Sequence, residues 1–233
     1  MTPSEVTLIL PLYQPSPESL AFVERVAKEA TDHVVVLVLD NGCVPPISEG
    51  WISKITNHRN ARNHRVDDNQ GWGGAIVLGA RMATTPYVAW APTNGKLSSN
   101  GVLNFIQTAL ASEAEFVKAS RVGRSLIFRI KAQVAGLFHS MILRKPMWDS
   151  GGTPTFCKRS FFLHELSWPQ GAAFDAFVLF QALRAGVPVH RITVGYRDFP
   201  AKQSSWRKGL GSEILLFLQI ARFGQVEGSR RAF

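Results

Sequence analysis

The sequence predicts an α/β fold in which helices cover both faces of a mostly parallel sheet. Three observations carry that expectation. Val6–Tyr13 (VTLILPLY) and Val34–Cys43 (VVVLVLDNGC) are near-continuous apolar runs, the pattern of strands buried on both faces. Beyond them, segments of helical periodicity alternate with further short strands. Both leading runs also close on polar residues, and ligands of open parallel sheets sit beyond the carboxyl ends of the strands. Pro11, Tyr13, Asp40 and Asn41 are therefore expected on one rim of a crevice of the kind that holds nucleotides.

The elements follow in order. After the first strand, Ser16-Pro17-Glu18 reads as a helix start, with Ser16 as N-cap and Pro17 at the first helical position. Leu20, Val23, Val26, Ala27 and Ala30 then recur at helical spacing. His33–Leu39 forms the second strand, and Cys43–Trp51 is a loop broken by Pro45-Pro46. Weaker strands are expected near Ile52–Thr56 and Arg65–Asp68. Gly73–Met82 reads as a helix, Tyr87–Ala91 as a strand, Val102–Ala111 as a helix and Glu115–Ala119 as a short strand. Ser125–Leu143 is a long amphipathic helix, followed by a strand at Thr153–Lys158. Phe174–Ala185 is a helix with Gly186 just past its end. Val189–Tyr196 is the last strand and Leu210–Phe223 the last helix.

Composition bounds the function. The 233 residues, 45% of them hydrophobic, can fill one large α/β core, so a single domain over 1–233 is expected. Its charge is lopsided. Residues 1–118 hold 9 Lys and Arg against 11 Asp and Glu, whereas residues 119–233 hold 17 against 6. The first part reads as a nucleotide-binding half. The second is a basic half facing something anionic: a diphosphate, a phospholipid surface or nucleic acid, with a solvated basic face as the plain alternative. The opening MTPSEV has no basic flank before its apolar run, so no signal peptide is expected. Two cysteines without metal-ligand spacing favour a cytosolic compartment. Arg129, Lys131 and His139 interrupt the longest apolar run, so no membrane-crossing segment is expected.

Asn69–Gly74 (NQGWGG) with Ala75 has the form of a glycine-rich phosphate loop at a helix N-terminus, with Gly71 and Gly74 as its contacts. The alternative is a tight turn that needs glycine for steric reasons. The spacing is not a dinucleotide fingerprint, because Ile76 stands where a third glycine belongs.

The order of these pieces resembles the family-2 glycosyltransferases of GT-A fold, the nucleotide-diphospho-sugar transferases. Within them it is most similar to the polyprenyl-phosphate sugar transferases related to dolichyl-phosphate mannosyltransferase. The resemblance spans about residues 6–222 and rests on six motifs in order. Pro11-Leu12-Tyr13-Gln14 resembles P-x-Y-N, and Leu39-Asp40-Asn41-Gly42-Cys43 resembles V-D-D-G-S. Asn69–Ala75 resembles N-x-G-x-G-x-A, and Val117-Lys118-Ala119-Ser120-Arg121 resembles V-K-G-S-R. Asp149–Pro154 stands at the family's aspartate and glycine turn, and Tyr196-Arg197 with Ser204-Ser205-Trp206 resembles Y-x-x-R…G-x-S-x-W.

The resemblance implies transfer of a sugar, with inversion, from a UDP- or GDP-linked donor to an acceptor such as a polyprenyl phosphate. It departs at one place. Where the family carries a metal-binding D-x-D, this chain has Pro92-Thr93-Asn94. Asn94 is then the one remaining side-chain ligand for Mg²⁺ or Mn²⁺, and a neutral amide is a poor partner for a hard cation. Three outcomes stay open: the diphosphate itself holds the metal, cationic side chains replace it, or catalysis is lost. The candidate cations are Lys96, Lys118, Arg121, Arg124, Arg197 and Lys202. Charge on the departing diphosphate is the largest catalytic term, and Arg197 is the first choice to meet it. Asp149, then Asp175, are the choices for a general base, with a turn residue as the alternative for Asp149. Asp40 and Asn41 read the nucleotide base, or else Asp40 caps its own loop. Tyr13 stacks on the base or sugar, or plugs the sheet edge.

The helix at Ser125–Leu143 sets Arg124, Arg129 and Lys131 beside Leu126, Ile127, Phe128, Ile130, Val134, Leu137, Phe138 and Ile142. It reads either as a core face or as a surface lying on an anionic bilayer, peripheral at the inner face of the membrane. The six histidines (33, 58, 64, 139, 164 and 190) show no ligand spacing. His58–Arg65 (HRNARNHR) reads as a polar surface loop. Besides a transferase, the sequence permits a non-catalytic nucleotide-sugar or nucleic-acid binder. Nucleic acid ranks last, since the basic half lacks interleaved aromatic stacking platforms.

Overall fold

The computed structural model describes residues 4–163, 167–197 and 210–224. Seven strands form one sheet: β1 (Val6–Leu12), β2 (Val34–Asn41), β3 (Ala61–Val66), β4 (Tyr87–Trp90), β5 (Phe116–Val122), β6 (Thr155–Lys158) and β7 (His190–Gly195). Their order is β3-β2-β1-β4-β6-β5-β7. All pairs are parallel except those of β6, which runs antiparallel to both β4 and β5. The carboxyl ends of β1, β2, β3, β4, β5 and β7 therefore share one rim, and β6 joins the two halves of the chain into one sheet.

The helices are α1 (Pro17–Glu29), α2 (Glu49–Thr56), α3 (Gly71–Met82), α4 (Ser99–Ala111), α5 (Leu126–Leu143), α6 (Phe174–Arg184) and α7 (Leu210–Ala221). Strand alternation separates two cores. Val6, Leu8, Leu10 and Leu12 of β1 pack with Phe22, Val23 and Val26 of α1 and Phe105 and Ile106 of α4. Ile9 points the other way, into a core with Ala75 and Ile76 of α3, Trp90, and Phe174 and Phe177 of α6. Burial on both faces accounts for the unbroken apolar runs of β1 and β2. Ser16 caps α1 as expected, its hydroxyl accepting from Ser19 N at 3.3 Å.

The structure corrects four element assignments. The weak strand expected near Ile52–Thr56 is helix α2, started by Ser48, whose hydroxyl accepts from Trp51 N at 3.4 Å. The strand expected near Arg65–Asp68 lies earlier, as β3. Five of the eight residues of the polar run His58–Arg65, expected to be a loop, are thus edge strand, held by backbone pairing with β2 rather than by apolar side chains. The short strand at Glu115–Ala119 continues to Val122, because β7 pairs alongside it as far as Gly195.

Helix α5 departs most from a soluble core helix. Its 18 residues have a mean hydropathy of 1.3, enough by length and composition for a spanning segment, despite Arg129 and Lys131. Only Gly136, His139 and Leu143 are buried. It packs on α7 through Phe138 and His139, whose rings lie 4.8 and 4.5 Å from that of Phe217.

Candidate functional site

The rim is built from the loops that follow β1, β2, β4, β5 and β7. At the end of β1, Pro11 is buried and its carbonyl accepts from Thr93 Oγ1 at 3.3 Å, while Tyr13 is 45% exposed. Asp40, by contrast, is fully buried. Its Oδ1 accepts from Cys43 N at 2.9 Å, and its Oδ2 from Arg65 Nη1 at 2.5 Å and Ile47 N at 3.4 Å. Burial alone would raise its pKa, but these donors outweigh it and hold the carboxyl below its ordinary range. Asp40 caps its own loop and presents no free oxygen edge to a nucleotide base. Its partner Arg65 stands in a polar run whose sequence gives no sign of this pairing.

Asn41 organises the glycine-rich turn. Its Nδ2 donates to Asn69 Oδ1 (3.0 Å) and Gly71 O (3.2 Å), and its Oδ1 accepts from Gln70 N at 3.0 Å. The phosphate-loop expectation for Gly71 and Gly74 meets an obstacle here. Gly71 N donates to Asn69 Oδ1 at 2.8 Å, and Gly73 N to Gln170 O at 2.7 Å. The segment around Pro169 and Gln170 lies on the turn so closely that a Cβ on Gly73 would meet Pro169 O at 2.0 Å. The glycines serve the steric alternative: they let the chain before α6 pack onto the start of α3.

The two halves meet in a buried polar knot. Lys118 of β5 has no exposed surface, and its ammonium lies 3.2 Å from Thr155 Oγ1 and 3.9 Å from Asp175 Oδ1. Asp175 also accepts from the indole N–H groups of Trp72 and Trp90, each at 2.8 Å. Burial drives the Lys118 pKa down to about 8, against the pull of Asp175. Lys118 and Asp175 were both expected at the ligand. The structure instead gives them an internal role, tying α6 to β4, β5 and α3; nothing in the sequence marks the two tryptophans as partners of Asp175.

The open side of the rim is cationic. Asp149, at φ +40°, receives Arg121 through both carboxylate oxygens, and Arg124 Nη1 lies 3.8 Å from its Oδ1. Burial would raise the Asp149 pKa, but Arg121, then Lys118 and Arg124, bring it below the ordinary carboxylate range. A general base needs proton affinity near the working pH. A carboxylate held ionised beside two guanidinium groups has little, and in this arrangement Asp149 holds Arg121 and Arg124 in place. Arg121 and Lys96 each lie 5.6 Å from the ring centre of Tyr196. The backbone N–H of Arg197 donates to Lys96 O at 2.9 Å, which brings the end of β7 onto the loop after β4 with the Arg197 side chain exposed. Asn94 Oδ1 accepts from Lys96 N at 3.3 Å within that loop. Ser204-Ser205-Trp206, Lys202 and His164 lie outside the described residues.

A groove of about 220 Å³ opens beside this cluster. Arg121, Arg124, Lys131 and Asp149 are among the residues that line it, together with apolar Phe128, Leu216 and Phe217 from α5 and α7.

The metal expectation does not fit the residues present. Pro92, Thr93 and Asn94 offer no carboxylate, and among the described residues no three His, Cys, Asp or Glu side chains gather to hold an ion.

The architecture is that of the GT-A glycosyltransferases. No family model and no curated protein matches the chain, but solved structures do. It is similar to a mycobacterial protein, with 14% identity over 94% of this chain and 73% of the other, at a TM-score of 0.70. It is also similar to glucosyl-3-phosphoglycerate synthase from Mycobacterium tuberculosis in complex with uridine diphosphate, with 15% identity over 94% and 80% of the two chains and a TM-score of 0.68. The same synthase in complex with Mn²⁺, UDP-glucose and phosphoglyceric acid matches with the same identity, coverage and score. At these identities the likeness is one of fold.

Proposed function

We propose that the protein transfers a sugar from a nucleotide-diphosphate donor, UDP- or GDP-linked, to a phosphate acceptor carried on a lipid, with inversion at the anomeric carbon. One observation carries the acceptor half of this reading: a groove lined both by the cations Arg121, Arg124 and Lys131 and by apolar side chains of α5 and α7. An amphipathic monophosphate combines the same two characters, with a charged head for Arg121 and Arg124 and a chain for α5 and α7. The GT-A fold, shared with structures solved in complex with UDP-glucose, supports the donor half.

Within this reading residues 1–118 hold the nucleotide and 119–233 the acceptor. Tyr13, exposed at the end of β1, stacks on the base or sugar. Asn41 acts through the turn it braces. Arg197 faces the departing diphosphate, where a guanidinium fork matches phosphate oxygens. A phosphate monoester has its second pKa near 6, so the acceptor arrives as a dianion and needs no base. That agrees with an Asp149 whose proton affinity is lowered. In one displacement the acceptor oxygen bonds to the anomeric carbon, and the electron pair of the breaking bond leaves on the nucleoside diphosphate.

The same reading places the protein at the inner face of a membrane. Ile127, Val134 and Met141 share one side of α5 and are each more than 60% exposed, and α7 adds Ile214 and Leu215. Arg129 and Lys131 lie in α5 and Arg144 and Lys145 follow it, while α5 contains no acidic residue. Apolar groups flanked by cations suit an anionic bilayer surface.

A second reading, a binder of nucleotide sugars that no longer transfers them, is favoured by the loss of carboxylates at positions 92 and 94. Incubation with radiolabelled UDP- and GDP-sugars and a short-chain polyprenyl phosphate in detergent separates the two. Transfer of label to the lipid supports the enzyme. Nucleotide binding without transfer to the lipid supports the second reading, and neither binding nor transfer overturns both.

A further inference from the structure

The loop after β4 begins at Pro92-Thr93-Asn94, without a carboxylate, and carries a cation at Lys96. Its backbone turns at Gly95 (φ +74°), where nothing lies within 4 Å of a would-be Cβ, so the turn borders open space on the rim. Asn94 uses its side-chain oxygen on Lys96 N. Lys96 is anchored through its carbonyl to the N–H of Arg197, and its ammonium lies over Tyr196 on the rim.

We propose that the Lys96 ammonium binds the donor diphosphate in place of a divalent cation, so that this chain takes its sugar nucleotide without metal. A divalent ion at a diphosphate neutralises charge and orients oxygens. An ammonium supplies a compact positive charge and three rotatable N–H donors, and so performs both tasks at lower charge. The anchoring of its backbone to β7 limits how far the side chain must be ordered on binding. The proposal rests on the nucleotide-sugar reading above and concerns only how the diphosphate is held.

Isothermal titration of UDP, GDP and their glucose and mannose conjugates, in EDTA and in millimolar Mn²⁺, tests it. The native chain should bind at least one of these equally in both conditions, within roughly twofold. A hydrogen bond to a charged group is worth about 1.5–3 kcal/mol, so Lys96→Ala should weaken binding by roughly 10-fold to 100-fold. Lys96→Arg should retain most of the affinity, and the circular dichroism of all three forms should agree. Binding that needs Mn²⁺, or a Lys96→Ala variant that binds as the native chain does, overturns the proposal while leaving the nucleotide-sugar reading in place. Absence of binding in both conditions removes the two together.

Discussion

Replacing Lys118 by methionine isolates the energetics of the buried knot. The side chain keeps similar length and loses its charge. In the native chain the ammonium is fully buried, facing Asp175 at 3.9 Å with Thr155 Oγ1 at 3.2 Å. Asp175 and Asp149 favour its charge, whereas burial, Arg191 and Arg121 oppose it, and burial wins. The fall from the ordinary 10.5 to about 8 corresponds to about 3 kcal/mol. The sign follows from linkage. Between about pH 8 and 10.5 the unfolded chain binds this proton more often than the folded one, so stability rises with pH across that window; below it the whole penalty is present. Relative to Lys118→Met, the native chain should therefore gain about 3 kcal/mol between pH 8 and pH 10.5. At pH 7 the two should differ by only about 1 kcal/mol, since removing a buried charge offsets the loss of its attraction to Asp175. Asp175→Ala should cost more, about 3–5 kcal/mol, because it strands the ammonium and two indole N–H groups. Urea unfolding followed by tryptophan fluorescence at a series of pH values gives all three numbers. Parallel pH profiles for the native chain and Lys118→Met would refute the account.

Three other outcomes are expected. Gly73→Ala would drive a methyl group to 2.0 Å from Pro169 O and 2.8 Å from Phe174 Cβ, so denaturant titration should show a loss of about 2–3 kcal/mol. Asp149→Asn should release Arg121 and Arg124, raising the acceptor KM roughly tenfold while donor affinity measured by titration stays within about twofold. Val134→Glu with Met141→Glu alters two exposed side chains; co-sedimentation with anionic vesicles should fall roughly tenfold or more, while the unfolding midpoint stays within about 0.5 kcal/mol of native.

By itself the sequence determined the α/β architecture and the rim. The apolar runs of β1 and β2 could be read because strands buried on both faces need no polar alternation. Ser16-Pro17 marked α1 because capping is a local hydrogen-bond problem. It also determined the basic character of the second half, and it exposed the gap at Pro92-Thr93-Asn94. Edge strand β3 escaped because backbone pairing with a neighbour, not its own side chains, holds it. Only the tertiary structure decided which polar residues are sealed inside and which stand on the rim. Asp40 and Arg65 lie 25 positions apart, Trp72 and Asp175 lie 103 apart, and Lys118 and Thr155 lie 37 apart. Whether a charged side chain is buried or stands on the rim depends on partners that meet only when the sheet closes, so no local pattern could tell Lys118, sealed inside, from Lys96, set at the edge of the crevice.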